Sequence, residues 1–281
     1  MATTHDVDSE PDNTSHGNVD VVLGVQALRD IWGLTSNPAS IARATNATGA
    51  GAKGVWTATV FAPPAALATC SPDDIFTPEL NDPPAGIRAY RFVLCRRYLP
   101  MFGNLKTMAI FIDGACSDNG ALDVDGRIPR GGFAFIFKPG DTGVISGALE
   151  QRGPDGTECP HTSNRAELRA AIAALKFRSW YGEDWERIVL ITDSEYIGTH
   201  ATTRLRKWAE RGWITSSGQP VKNQDLWKAL SDQIGEMARH GCEVCFWTVP
   251  RRWNTLADAA AKAAVNKPQQ REYVDIKGML V

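Results

Sequence analysis

Four acidic side chains, Asp113, Glu167, Asp193 and Asp258, stand where the chain passes from one kind of element to another. Asp113 ends the apolar run Met108-Ala-Ile-Phe-Ile-Asp-Gly114, and Asp193 ends Ile188-Val-Leu-Ile-Thr-Asp. Each run reads as a short buried strand, the first stopping in an Asp-Gly turn. Glu167 lies three residues after Asn164 and Asp258 three after Thr255, each in the expected first turn of a helix. Singly, these acids have ordinary structural readings: a turn residue, an N-cap partner, two capping-box acids. Jointly, two acids ending central strands and two opening helices packed on that sheet converge on one edge, where open α/β sheets bind ligands.

Carboxylates brought that close repel one another and take up protons unless a cation sits among them. A donor set of oxygens, with no His or Cys, favours Mg²⁺ or Mn²⁺. Two such ions can activate a water and stabilise the leaving oxygen of an in-line displacement at phosphorus, which is phosphodiester hydrolysis.

The elements that must position these acids are legible from about residue 106 onward. Strands are expected at 108–114, 131–137 and 144–150, separated by Gly- and Asp-rich loops. Leu168, Ala171, Ile172 and Leu175 recur at one face of an amphipathic helix that starts near Asn164. The strand ending at Asp193 follows, then helical segments around 194–211 and 224–239, a strand at 242–249 and an Ala-rich helix at 254–265. This βββαβαβα order predicts an α/β fold with a mixed five-stranded sheet, an antiparallel meander continued by right-handed parallel crossovers.

Ahead of this region, residues 1–105 read as an N-terminal extension and linker, partly disordered and of unknown function. The start is acidic and lacks Lys and Arg up to about residue 19, which argues against a mitochondrial presequence. A short helix is expected at 20–32, a strand at 55–61, and a basic, aromatic linker at 87–100. Residues 268–281 read as a polar tail. The whole chain has 281 residues, 43% hydrophobic composition and net charge −2, so it is no generic polyanion binder and any nucleic-acid surface must be local. Six scattered cysteines point to reduced thiols in an intracellular protein, nuclear or cytoplasmic, and Cys242-Glu-Val-Cys245 reads as structural within a strand. No apolar run is long enough to span a membrane.

Four motifs, Asp113-Gly-Ala-Cys116-Ser-Asp-Asn119-Gly, Thr162-Ser-Asn-Arg165-Ala-Glu167-Leu, Thr192-Asp193-Ser-Glu-Tyr196 and Asn254-Thr-Leu-Ala-Asp258, resemble those of ribonuclease H type 1, in the family's order. With their connecting elements they cover about residues 106–267. The resemblance implies a ribonuclease H-like fold with helices on both faces of the sheet. It implies cleavage of the RNA strand of RNA–DNA hybrids with two Mg²⁺ ions, Mn²⁺ being a possible substitute. Asp113, Glu167, Asp193 and Asp258 become the catalytic metal ligands by that match. Thr162 and Asn223 match positions that hold a DNA phosphate, while Cys116, Asn119 and Asn164 match loops that contact RNA through its 2′-hydroxyls. Residues 205–227 resemble the family's basic protrusion, where Arg204, Arg206, Lys207, Arg211 and Lys222 supply charge and Trp208 and Trp213 supply aromatic surface. Tyr196, Arg251 and Arg252 complete the expected substrate contacts. The chain is expected to act as a monomer.

Three positions depart from the family's pattern. The loop before the last acid, Val249-Pro-Arg-Arg-Trp-Asn254, is short and carries Arg252 about where many members have a His. Ser163 replaces a usual Asn, and Arg204 stands where a DNA-facing Trp is common. Two rival readings keep the same residues: a hybrid- or duplex-RNA-binding module without catalysis, and a two-metal nuclease for another nucleic-acid structure.

Overall fold

A computed structural model describes residues 54–78, 97–98, 107–117, 128–183 and 185–278. The expected helix at 20–32, most of the basic linker at 87–100, and Asn119 lie outside the described residues. Five long strands carry the sheet: β4 (Thr107–Cys116), β5 (Gly131–Ile136), β6 (Val144–Ala148), β7 (Arg187–Thr192) and β8 (Glu243–Thr248). They are joined by the two-residue strands β1 (Thr59–Val60), β2 (Thr77–Pro78) and β3 (Arg97–Tyr98). The helices are α1 (Pro72–Ile75), α2 (Ser163–Lys176), α3 (Glu195–Thr199), α4 (Leu205–Glu210), α5 (Gln224–Arg239) and α6 (Thr255–Ala264). From β4 onward the order is the expected βββαβαβα.

The strand order is β6-β5-β4-β7-β8. The β4–β5 and β5–β6 pairs are antiparallel and the β4–β7 and β7–β8 pairs parallel. β1 adds a parallel edge to β8, and β3 pairs antiparallel with the start of β4. Contrary to the sequence expectation, Asp113-Gly114 does not end the strand. Residues 107–111 of β4 pair with β7, whereas residues 111–116 pair with β5, so the antiparallel neighbour carries the backbone on to Cys116. Asp113 thus falls just past the end of its parallel partner while its backbone stays fixed on the other side.

Helices cover both faces. Phe133 and Phe135 of β5 join the core built with α2 and α5. Gly132, which points the opposite way because strand side chains alternate, abuts the backbone of Ala261 and Ala264 in α6. Leu168, Ala171, Ile172 and Leu175 of α2 and Trp227, Leu230 and Ile234 of α5 are buried, as the helical spacing requires. Cys242 and Cys245 are free, buried thiols, and burial pushes both up to about 12, as suits structural rather than reactive cysteines.

Two flanking segments pack on the same sheet and helices. Trp56 N–H donates to Ser231 Oγ on α5 at 2.8 Å, and the same hydroxyl donates back to Trp56 O at 2.9 Å. Phe61 and Phe76 close an aromatic triangle with Trp247 of β8. After α6, the N–H groups of Gln151 and Arg152 donate to the carbonyls of Gln270 and Arg271. Arg169, buried and paired with Glu150, lies between the Phe133 and Tyr273 rings and donates to Val274 O.

Candidate active site

The C-terminal half of β4, the end of β7, the N-terminal part of α2 and the first turn of α6 bring the four acids together at the sheet edge. Asp113 and Glu167 are both buried, and their side chains share a hydrogen bond. What allows so close a meeting is Gly114, whose missing side chain leaves room for α2: a Cβ there would overlap the backbone of Ala166 and Glu167. Asp193 follows β7 directly. Asn254 Nδ2 holds its Oδ1 at 2.8 Å and also donates to the carbonyl of Ile112, one residue before Asp113, at 3.0 Å. One buried amide therefore ties the ends of both acid-bearing strands to the start of α6.

The capping readings of Glu167 and Asp258 are not what the structure shows. α2 is capped by Thr162, whose side chain accepts from Arg165 N, so Glu167 falls beyond the first turn and points into the site. Asp258 does lie in the first turn of α6, but its oxygens bind side chains: Arg251 Nη2 at 2.6 Å and Lys262 Nζ at 2.7 Å. Asp193 likewise is no cap, since the N-cap residue before α3 is Ser194.

The electrostatics of the cluster are uneven. Burial, then repulsion from Asp193 and Asp258, raises Asp113 to about 7. Burial and the neighbouring Asp113 and Asp193 raise Glu167 well above the usual carboxylate range. Both shifts favour the protonated form of the pair. Glu167 Oε2 is buried with no hydrogen-bond partner. Partial burial alone would raise Asp258, but hydrogen bonds from Lys262 and Arg251 outweigh it and hold the carboxyl below its ordinary value.

These donors fit divalent cations. They are hard oxygen ligands in mutual repulsion, with one buried carboxylate oxygen unpartnered. As the side chains stand, however, no group of three or more His, Cys, Asp or Glu among the described residues is set as a ready-made metal cage. On the Asp258 side, Arg251 and Lys262 occupy both carboxylate oxygens.

The expected substrate contacts are distributed around this cluster. Cys116 is half-buried at the end of β4, opposite Gly131, and Asn164 is exposed on the first turn of α2. Thr162 and Asn223 stand at the N-cap positions of α2 and α5, Asn223 without a side-chain capping bond, and a buried bidentate pair joins the two helix starts, with Arg165 Nη1 and Nη2 at 2.9 and 2.6 Å from Asp225. Asn223 has φ +56°, a left-handed conformation that Asn tolerates. Arg206 and Lys207 lie exposed on α4. Trp213, also left-handed at φ +67°, is held by its N–H to Trp208 O at 2.6 Å, with Lys228 over its ring.

Tyr196 lies on α3. Its ring packs on His200 and Trp227, and its hydroxyl accepts from Trp227 Nε1 at 3.3 Å, so its visible contacts are those of packing. Trp208 belongs to the same aromatic stack. Arg251 and Arg252 are exposed, Arg252 lying over the Trp253 ring. Three residues escaped the sequence reading as functional positions. Gly114 and Asn254 stand inside quoted motifs, but only tertiary contact shows what they do. The partner of Arg165 is 60 residues away.

The fold and the grouped acids define a mixed-sheet α/β enzyme with an acidic site at its switch point. The RNase H family model matches residues 105–266, and the chain belongs to the ribonuclease H family, whose members are metal-dependent endoribonucleases. Ribonuclease H of Cyanothece sp. is 34% identical over 180 residues, spanning 62% of this chain and 99% of that protein. The Nitrosococcus oceani enzyme is 36% identical over 169 residues, 59% of this chain and 99% of its own length. That of Pseudomonas aeruginosa is 42% identical over 141 residues, 49% and 78% of the two lengths.

Proposed function

We propose that this chain hydrolyses the RNA strand of RNA–DNA hybrids, using two Mg²⁺ ions held by Asp113, Glu167, Asp193 and Asp258. The observation that carries the reading is the buried Asp113–Glu167 pair, both members raised by desolvation and repulsion, with Glu167 Oε2 unpartnered beside Asp193. Such an arrangement is costly without positive charge and is stabilised by it. Bound there, divalent ions would supply an activated water and neutralise charge on the departing oxygen.

The protein's own groups do the rest. Asp113 and Glu167 set the depth of the site, Asn254 fixes the rotamer of Asp193, and α6 presents Asp258 across from them. Thr162 and Asn223, locked together through Arg165 and Asp225, offer hydroxyl and amide groups to one backbone phosphate of the DNA strand. Cys116, Asn119 and Asn164 face the RNA strand in this reading, and Arg206, Lys207 and Trp213 extend the grip along the DNA. Arg251 and Arg252 stand at the rim, where a scissile phosphate would lie. The same reading has the chain work as a monomer.

Asp193→Asn keeps the size and the Asn254 contact but removes a charge. Hybrid cleavage in Mg²⁺ is expected to fall by about three orders of magnitude, the scale of several kcal/mol of transition-state stabilisation. Hybrid affinity, measured by gel shift, is expected to stay within a few-fold. Cleavage that survives the substitution ends the reading; a wild-type chain that binds hybrid without cutting it points to a binding module.

A further inference from the structure

The two halves of the acidic cluster differ in what neutralises them. On the Asp113–Glu167 side a buried carboxylate oxygen has no partner. On the other side both Asp258 oxygens are taken, by Arg251 Nη2 at 2.6 Å and Lys262 Nζ at 2.7 Å. The same guanidinium reaches toward Asp193, with Nε 3.8 Å from Oδ2. Arg251 sits on the short turn 251–253 before α6, and its side chain is 69% exposed. Its ion pairs are with Asp193 and Asp258, so the head group is free to swing outward without disturbing the core.

We propose that Arg251 is a built-in counter-ion of the Asp193–Asp258 side, which a divalent cation must displace before Asp258 can serve as its ligand. This rests on the reading that the four acids hold such cations. Filling is then unequal. A cation arriving beside Asp113 and Glu167 meets a buried carboxylate oxygen with no hydrogen-bond partner, whereas one arriving at Asp258 exchanges one ion pair for another. The exchange costs little, because an exposed pair in water is weak, and it weakens as salt screens it. Arg251 thereby sets how much metal the second position needs, apart from any contact it makes with substrate.

The test is calorimetric titration of Mn²⁺ into the full chain without nucleic acid, comparing wild type, Arg251→Ala, Arg251→Lys and Arg252→Ala. Arg251→Ala is expected to tighten the weaker class of Mn²⁺ binding about two- to fivefold, the range of an exposed ion pair, and to leave the tighter class unchanged. Arg251→Lys is expected to fall between the two. Arg252→Ala removes the same charge from a residue whose ring contact is Trp253, and is expected to change Mn²⁺ affinity less. Unchanged or weaker binding by Arg251→Ala overturns the inference, as does an equal gain from Arg252→Ala. Absence of Mn²⁺ binding by every variant and by wild type overturns the reading of the four acids themselves, and the inference falls with it.

Discussion

Asp113 and Glu167 are held in contact by the same packing that desolvates them, and the raised affinity of both carboxyls for protons is the consequence. Linkage gives this a measurable sign. The folded-state value of Asp113, about 7, lies above the ordinary carboxylate value, so between roughly pH 4 and 7 the folded chain holds a proton the unfolded chain has lost. The contribution of this group to stability is therefore full at the acid end and declines as pH rises through that window. Asp113→Asn is expected to raise the melting temperature of metal-free protein at pH 8, by an amount equivalent to about 1–3 kcal/mol, and to change it little at pH 5. Added Mg²⁺ should erase the advantage by stabilising the wild type; a variant gain that is equal at both pH values refutes the account. Asn254 acts at the same scale. Removing the amide that holds Asp193 and Ile112 should lower kcat by about tenfold or more, as loss of an outer-sphere partner does, with KM for hybrid changed less. Steady-state kinetics of Asn254→Ala decide this.

At the scale of elements, what matters is how strand and helix ends are brought into register. β4 changes partner at Phe111, from β7 to β5, and this change leaves the Asp113 side chain at an edge while its backbone stays bonded. α2 can then approach only because residue 114 lacks a Cβ. Gly114→Ala is expected to push α2 off β4, costing about 2 kcal/mol or more as overpacking does, and to reduce cleavage far more than hybrid binding. A variant that melts and cleaves like wild type would show that the close approach is dispensable. The helical stretch expected across 194–211 resolves into α3, a π-helical turn over His200–Arg204 and α4. Thr202 and Thr203 donate their hydroxyls to the carbonyls of Gly198 and Thr199, local bonds that compete with the regular ladder. This wider turn lies between Asp193 and the exposed basic residues of α4.

On the scale of the molecule, the described part of the N-terminal region is joined to the sheet. Phe76 is fully buried against Phe61 and Trp247, and Trp56 clasps Ser231 of α5. Phe76→Ala is expected to destabilise the chain by about 3 kcal/mol, the cost of emptying an aromatic site, and to lower the melting temperature by roughly 6–12 °C. Thermal denaturation followed by circular dichroism checks it, and an unchanged melting temperature would mean that the segment does not hold to the domain. The residues after α6 act similarly, with Tyr273 and Val274 covering the buried Arg169–Glu150 pair. Among the described residues no helix is long and apolar enough to cross a membrane.

The order of elements from residue 107 onward was legible in the sequence, as were the family and the four acids as candidates. Each depends on patterns local to the chain: period-2 and 3.6 apolar spacing, turn residues, and short motifs around Asp113, Glu167, Asp193 and Asp258. The helix spans expected at 224–239 and 254–265 meet the observed α5 and α6 to within a residue. The continuation of β4 through Gly114 was not legible, because an Asp-Gly pair is turn-like until a neighbouring strand, β5, holds it extended. Nor were the Arg165–Asp225 lock, the Asn254 tie, or the Arg251 and Lys262 clamp on Asp258, since long-range partners and rotamers are set by packing. The sequence by itself determined which residues could do the chemistry and in what order the elements carry them. Only the tertiary structure decided which oxygens are buried, which are already neutralised and which amide holds them, because desolvation and charge pairing depend on what the folded chain places around each group.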